Sequence, residues 1–144
     1  LSPTFGRHIP DYNSPESLDL ARLLADLDAR RAAPARPDVL ILEGLMLLHH
    51  AEIRERLDLR VFIELDADQR ALRRLVRNIG HQYDPIGEDH SPRAIANYFL
   101  ESAKVGHEKY IEPSRRYADL ILRGDGDFER SARLVAGAVA VVGF

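Results

Sequence analysis

The chain has 144 residues, 45% hydrophobic and 30% charged, with a net charge of −3 and no cysteine. That is enough for one domain with one core, and it excludes disulfides and thiolate metal sites. The charge gives no basis for a nucleic-acid or membrane surface, and no apolar run approaches the roughly 18 residues that cross a bilayer.

The opening LSPTFGRHIP has the Pro and Gly of a loop, and neither an initiator Met nor the regions of a signal peptide. Ser14 before Pro15 is predicted to start a helix: a hydroxyl cap, then Pro at the first helical position. Leu20, Leu23, Leu24 and Leu27 follow at i, i+3, i+4, i+7, one helical face. AAPARP (32–37) ends it. Val39 to Leu42 is a short unbroken apolar run, predicted to be a strand buried on both faces as in a parallel sheet. A short helix is expected over Ala51 to Leu57 and a second strand over LRVFIEL, 59–65. Asp66 is predicted to cap a third helix, with Leu72, Leu75, Val76 and Ile79 at helical spacing. GHQYDPIGEDHSP (80–92) is a polar loop. Ser91-Pro92 repeats the Ser-Pro start and opens a long helix to about Tyr110, which Pro113 interrupts. Ala118 to Leu122 is a third strand, RGDGD (123–127) a turn, and the chain ends on a helix carrying Phe128, Leu134, Val135, Val139 and Val142. Strands alternating with helices define an α/β class with a mostly parallel sheet.

Three features bear on chemistry. Glu43 directly follows an apolar run, and a carboxylate there is costly to desolvate. At the carboxyl end of a parallel strand it either holds Mg²⁺, which favours oxygen ligands and keeps several waters, or caps the next segment. Arg70, Arg73, Arg74 and Arg77 are three and four apart, so they share one helix face. Such a row suits phosphoryl transfer, where charge spreads over phosphate oxygens; the alternative is a solvated face. The 80–92 loop carries His81, Asp84, Glu88, Asp89 and His90 without metal-ligand spacing, so a lid or a plain surface loop is expected. No Gly-x-Ser-x-Gly supports a hydrolase nucleophile.

Four segments in order resemble the uridine kinase and phosphoribulokinase family of P-loop kinases: YNSPESLD (12–19), DVLILEGLMLL (38–48), EIRERLDLRVFIELDADQRALRRLVRN (52–78) and YIEPSRRYADLIL (110–122). The resemblance implies a P-loop NTPase-type three-layer sandwich, strand order 2-3-1-4-5, with a mostly parallel sheet flanked by helices. It implies a soluble, cytoplasmic kinase using ATP and Mg²⁺ on a small molecule, with neither nucleic acid nor membrane as partner and homo-oligomer formation left open. Glu43 then lies by the magnesium of Mg-ATP. Arg74 and Arg77 approach the transferred phosphate or the substrate as catalytic residues. Tyr12 and Asn13 sit against the sugar hydroxyls. Tyr98 joins Tyr12, Asn13 and Arg74 on the substrate side, and Arg73 joins Arg77 at the nucleotide.

The chain departs from that family in three places. No Gly-x-x-x-x-Gly-Lys-[Ser/Thr] loop occurs, and neither lysine, Lys104 nor Lys109, has that context. Residues 1–144 are therefore expected to be the C-terminal portion of one kinase domain, the preceding roughly thirty-odd residues carrying the first strand, the phosphate loop and the catalytic Asp. Asn13 stands where the family has Asp, and can bond a hydroxyl without taking its proton. The pyrimidine-holding hairpin is shortened to about seven residues, and HQYDPIG replaces the Arg-Gly-Arg of the lid. Uridine or cytidine leads as acceptor, with nicotinamide riboside or a phosphoribulokinase-type acceptor next. A nucleotide-binding or interaction domain without catalysis is the alternative of another class.

Overall fold

The structure is a computed structural model that describes residues 2, 6–8, 11–79 and 91–143. It is mixed α/β. Helix α1 (Leu20–Ala32) and α2 (Ala51–Arg54) precede strand β1 (Val61–Glu64), then α3 (Ala67–Asn78). A long helical stretch follows: α4 (Pro92–Tyr98), a π-helical turn Phe99–Ala103, α5 (Lys104–Gly106), a second π-helical turn His107–Ile111, α6 (Glu112–Ser114) and a 3-10 turn Arg115–Tyr117. Strand β2 (Leu120–Arg123) and α7 (Phe128–Gly143) complete it.

The sheet of the described residues is one parallel pair, Val61 opposite Leu120 through Glu64 opposite Arg123. Parallel strands need a long crossover, and residues 65–119 supply it with α3 and the long helical stretch. Arg60 clamps the entrance of the pair. Its guanidinium meets both carboxylate oxygens of Asp119, at 2.7 and 3.0 Å, while its backbone N–H donates to the same side chain. At the far end the Gly124 N–H donates to the Glu64 carbonyl.

Phe62 points into a core with Met46, Leu48 and Ile111. A second cluster joins Ala94, Ile95 and Tyr98 of α4 to Leu75 of α3. Together they fix α3 and the long helical stretch relative to β1. Arg56 anchors α1 through the Asp28 carboxylate, and Arg31 does so through the Arg56 carbonyl.

Several expectations are corrected. Val39 to Leu42 belongs to no strand or helix, and Ile41 is 84% exposed rather than buried. A strand exists only through its neighbours' hydrogen bonds, and no described residue pairs with 38–44. Ser14 opens only a 3-10 turn, Pro15–Ser17; α1 starts at Leu20, and the Asp19 side chain accepts the Arg22 N–H as its cap. Asp66 stands at the N-cap of α3 without a side-chain cap bond. Leu72, Val76 and Ile79 face away from the packed side of α3, where Leu75 and Asn78 lie. No described element covers them. Pro113 does not end the helix, because the turn before it has widened to π bonding, a known way of absorbing a lost N–H. Ser91 does cap α4, accepting from Ala94 N. No helix among the described residues is long and apolar enough to cross a membrane.

Candidate functional site

Both strands run to the same end, where Leu65-Asp66 leads into α3 and Gly124-Asp125 into α7. In parallel sheets ligands gather beyond the carboxyl ends. Two adjoining clefts open there. The first, about 440 Å³, is lined by Phe62 to Ala67, Arg70, His107, Glu112, Arg123 and Asp125. The second, about 300 Å³, is lined by Arg70, Arg73, Arg74, Arg77, Asn13, Leu45, Leu65, Phe99, Ala103, His107 and Ile111. Leu65, Arg70 and His107 border both.

The four arginines come together because the helical repeat puts them on one side of α3, beside the packed Leu75 face. Each of three is held by a hydrogen bond. Arg70 Nε donates to the Leu65 carbonyl at 3.0 Å, Arg73 Nη1 to the Gly124 carbonyl at 2.9 Å, and Arg77 Nε to Asn78 Oδ1 at 3.1 Å. Arg74 lies over the Tyr98 ring, its Cζ 4.8 Å from the centroid. Four guanidiniums around one cleft have a clear chemical use. They carry positive charge on planar forks that match phosphate oxygens.

Of the other residues singled out from the sequence, Asn13 lines the arginine cleft and is buried, its amide donating to Tyr98 Oη and Ser102 Oγ. Tyr98 is fully buried beneath Arg74. Tyr12 is exposed and outside the lining. Glu43 is exposed, on the unpaired segment two residues before the lining residue Leu45. The turn after it is pinned by Arg54, whose Nη1 donates to the carbonyls of Leu48 and His49 and whose guanidinium stacks 3.8 Å from the Tyr117 centroid. Residues 80 to 90 of the expected lid lie outside the described residues.

The sequence marks Arg70 only as one of a row, and no spacing in it points to His107, Glu112, Arg123 or Asp125 as cleft residues. His107 Nε2 lies 3.2 Å from Glu112 Oε2. Burial, then the nearby Arg70 charge, pushes the imidazole below its usual range, against the pull of Glu112. Residues five apart diverge on an α-helix, and the π turn brings them together, so helical spacing could not show the pair. Hydrogen bonds from Arg123 hold the Asp125 carboxyl below the usual aspartate range.

Among the described residues, no group of three or more His, Asp or Glu is placed to hold a metal ion. Magnesium in phosphoryl transfer needs only one or two protein carboxylates beside phosphate and water. The exposed Glu43 carboxylate fits that need. The arginine cleft fits a polyphosphate.

The Phosphoribulokinase / Uridine kinase family matches residues 8–127. A uridine kinase of Chlamydia pneumoniae is 39% identical over 87 residues, covering 60% of this chain and 36% of that protein. A uridine kinase of Clostridium tetani is 33% identical over 102 residues, 71% of this chain and 46% of its own length. One of Deinococcus deserti is 34% identical over 101 residues, 70% of this chain and 46% of its length. The chain thus spans less than half the length of these curated relatives.

Proposed function

Because the chain belongs to the phosphoribulokinase/uridine kinase family, we propose that it forms the arginine-bearing part of a P-loop small-molecule kinase. The reaction is transfer of the γ-phosphoryl group of ATP to a hydroxyl of a nucleoside or a related sugar-like molecule, in the cytoplasm. The fold is the three-layer P-loop sandwich, in which β1 and β2 are two strands of a larger parallel sheet. The apolar run 39–42, exposed at Val39, Leu40 and Ile41, supports that reading: its side chains suit a strand with neighbours on both sides.

The observation that carries the proposal is the cleft lined by Arg70, Arg73, Arg74 and Arg77 at the carboxyl end of β1. In the reaction the acceptor hydroxyl gives its proton to a base or to water as its oxygen attacks the γ-phosphorus, the bond to the β–γ bridging oxygen breaks, and ADP leaves with that electron pair. Little covalent chemistry falls to the protein, so positioning and charge dominate. Arg74 and Arg77 stabilise the transferred group, and Arg73 and Arg77 the nucleotide phosphates. Mg²⁺, when bound, neutralises phosphate charge, and Glu43 holds it directly or through water. Tyr12 lies on the acceptor side. The backbone loop that cradles ATP phosphates does not occur in these 144 residues, so the proposed reaction requires one supplied from outside them.

Uridine or cytidine is the leading acceptor, because the relatives named above are uridine kinases. Nicotinamide riboside is second, because the chain leaves little room before residue 38 for a base-holding hairpin. A phosphate-transfer screen of the intact protein with ATP against nucleosides and sugars decides. ADP release dependent on one acceptor supports the kinase, and ATP binding without transfer to any acceptor overturns it.

A further inference from the structure

We propose that Asn13 and Tyr98 are positioning residues that aim Arg74 into the arginine cleft, and that the Asn13 amide serves this purpose instead of binding the acceptor. The inference rests on the proposed phosphate-binding role of that cleft.

Asn13 is 5% exposed. Its Nδ2 donates to Tyr98 Oη at 3.1 Å and to Ser102 Oγ at 2.8 Å. Ser102 gives its single hydroxyl proton to Asp11 Oδ1, so it must accept from Asn13, which fixes the orientation of the amide. The same Asp11 oxygen accepts the Asn13 backbone N–H at 3.0 Å. Both amide hydrogens are therefore committed. An aspartate here, ionised and acceptor-only, could make neither bond in that direction.

The loop is seated as tightly as its side chain is bonded. A Cβ on Gly106 would stand 2.3 Å from the Asn13 carbonyl oxygen, so only glycine lets residues 11–13 lie on this stretch of helix. Tyr98 is 0% exposed, and its ring is tethered at the hydroxyl by Asn13 while its face carries the Arg74 guanidinium. A cation on a desolvated aromatic face is held more firmly than one on an exposed face. Arg70 and Arg73 donate to carbonyls on the loops that follow the strands, and Arg77 donates to Asn78 on α3 itself. Arg74 touches Tyr98 and, through it, the 11–13 loop, and a long side chain fixed in advance loses less freedom when it meets its ligand.

Affinity of the intact protein for inorganic tripolyphosphate, by titration calorimetry, tests the chain of contacts. Arg74→Ala is expected to weaken binding about tenfold or more. Asn13→Ala is expected to weaken it about threefold or more in the wild-type and Arg73→Ala backgrounds, and less than about twofold in the Arg74→Ala background. Tyr98→Phe keeps the ring and loses the tether. It should follow Asn13→Ala with a smaller loss, and it answers the question if Asn13→Ala does not fold. An effect of Asn13→Ala or Tyr98→Phe that is the same with and without Arg74 overturns the positioning role. Unchanged tripolyphosphate affinity in both variants, with a raised acceptor KM in Asn13→Ala, overturns it in favour of an acceptor ligand. If Arg74→Ala itself binds normally, the phosphate-cleft reading fails and the inference falls with it.

Discussion

Two stretches of this chain are written alike. Residues 38–43, DVLILE, and residues 60–64, RVFIE, both run from a charged residue through large apolar ones to a glutamate. The second is a strand and the first is not. Arg60 meets Asp119 in a two-pronged ion pair, four residues of β1 register against β2, and Phe62 enters a core with Met46, Leu48 and Ile111. The first stretch is as apolar but has no backbone partner among the described residues, and Val39, Leu40 and Ile41 face solvent. Apolar sequence makes a strand possible, and pairing makes one. The terminal glutamates differ in consequence. Glu64 is committed to Arg115 at 2.8 Å, whereas Glu43 makes no ion pair among the described residues. A carboxylate that stability does not use is available to a ligand.

The largest expected contrast is in stability. Phe62→Ala should cost about 3–5 kcal/mol in denaturant unfolding of the 144-residue chain, the usual result of emptying an aromatic site in a core. Ile41→Ala should stay within about 0.5 kcal/mol there, since its side chain is in water. In a longer protein that supplies a strand beside residues 38–42, the same Ile41 truncation should rise to about 2–4 kcal/mol. Equal costs for Ile41 in the two settings would contradict the shared-sheet proposal.

The next contrast sets the glutamates against each other. In the intact protein, Glu43→Gln should lower kcat about ten- to a thousandfold, as loss of a well-placed electrostatic contact does. Its melting temperature should hold. Glu64→Gln should do the reverse, costing about 1 kcal/mol or less, because both partners of its ion pair are substantially exposed. Wild-type kcat in Glu43→Gln would remove the proposed metal role.

The smallest effect is the acid sensitivity of the β1 clamp. Hydrogen bonds from Arg60 hold the Asp119 carboxyl below its usual range. The pair's contribution is therefore fully present above the unfolded value near pH 4 and is lost as pH falls through the lower folded value. About a third of each side chain is exposed, so screening limits the effect to about 1 kcal/mol or less. Asp119→Asn should flatten that part of the stability profile measured below about pH 4, and an unchanged acid limb would show that the clamp contributes nothing.

What the sequence made legible follows from what is local. Ser91-Pro92 starts a helix because cap and proline act within one turn, and the arginine row needs only the helical repeat. β1 and β2 were legible because each found a partner within the chain. Leu72, Val76 and Ile79 have the spacing of a core face, yet nothing described covers them, since periodicity says which residues share a side and not what lies opposite. The His107–Glu112 contact depends on a π turn that no apolar pattern marks. The Asn13–Tyr98 bond joins residues 85 apart, which local spacing cannot foresee.

The central claim is that the α3 arginines handle the transferred phosphate, and kcat and KM of Arg74→Lys and Arg77→Lys in the intact protein test it most directly. Lysine keeps the charge and removes the two-pronged fork. The account predicts that kcat falls about tenfold or more in at least one variant, with a smaller change in KM, because the lost contact forms mainly in the transition state. Near-normal kcat in both variants would contradict it and leave the row as a charged helix surface.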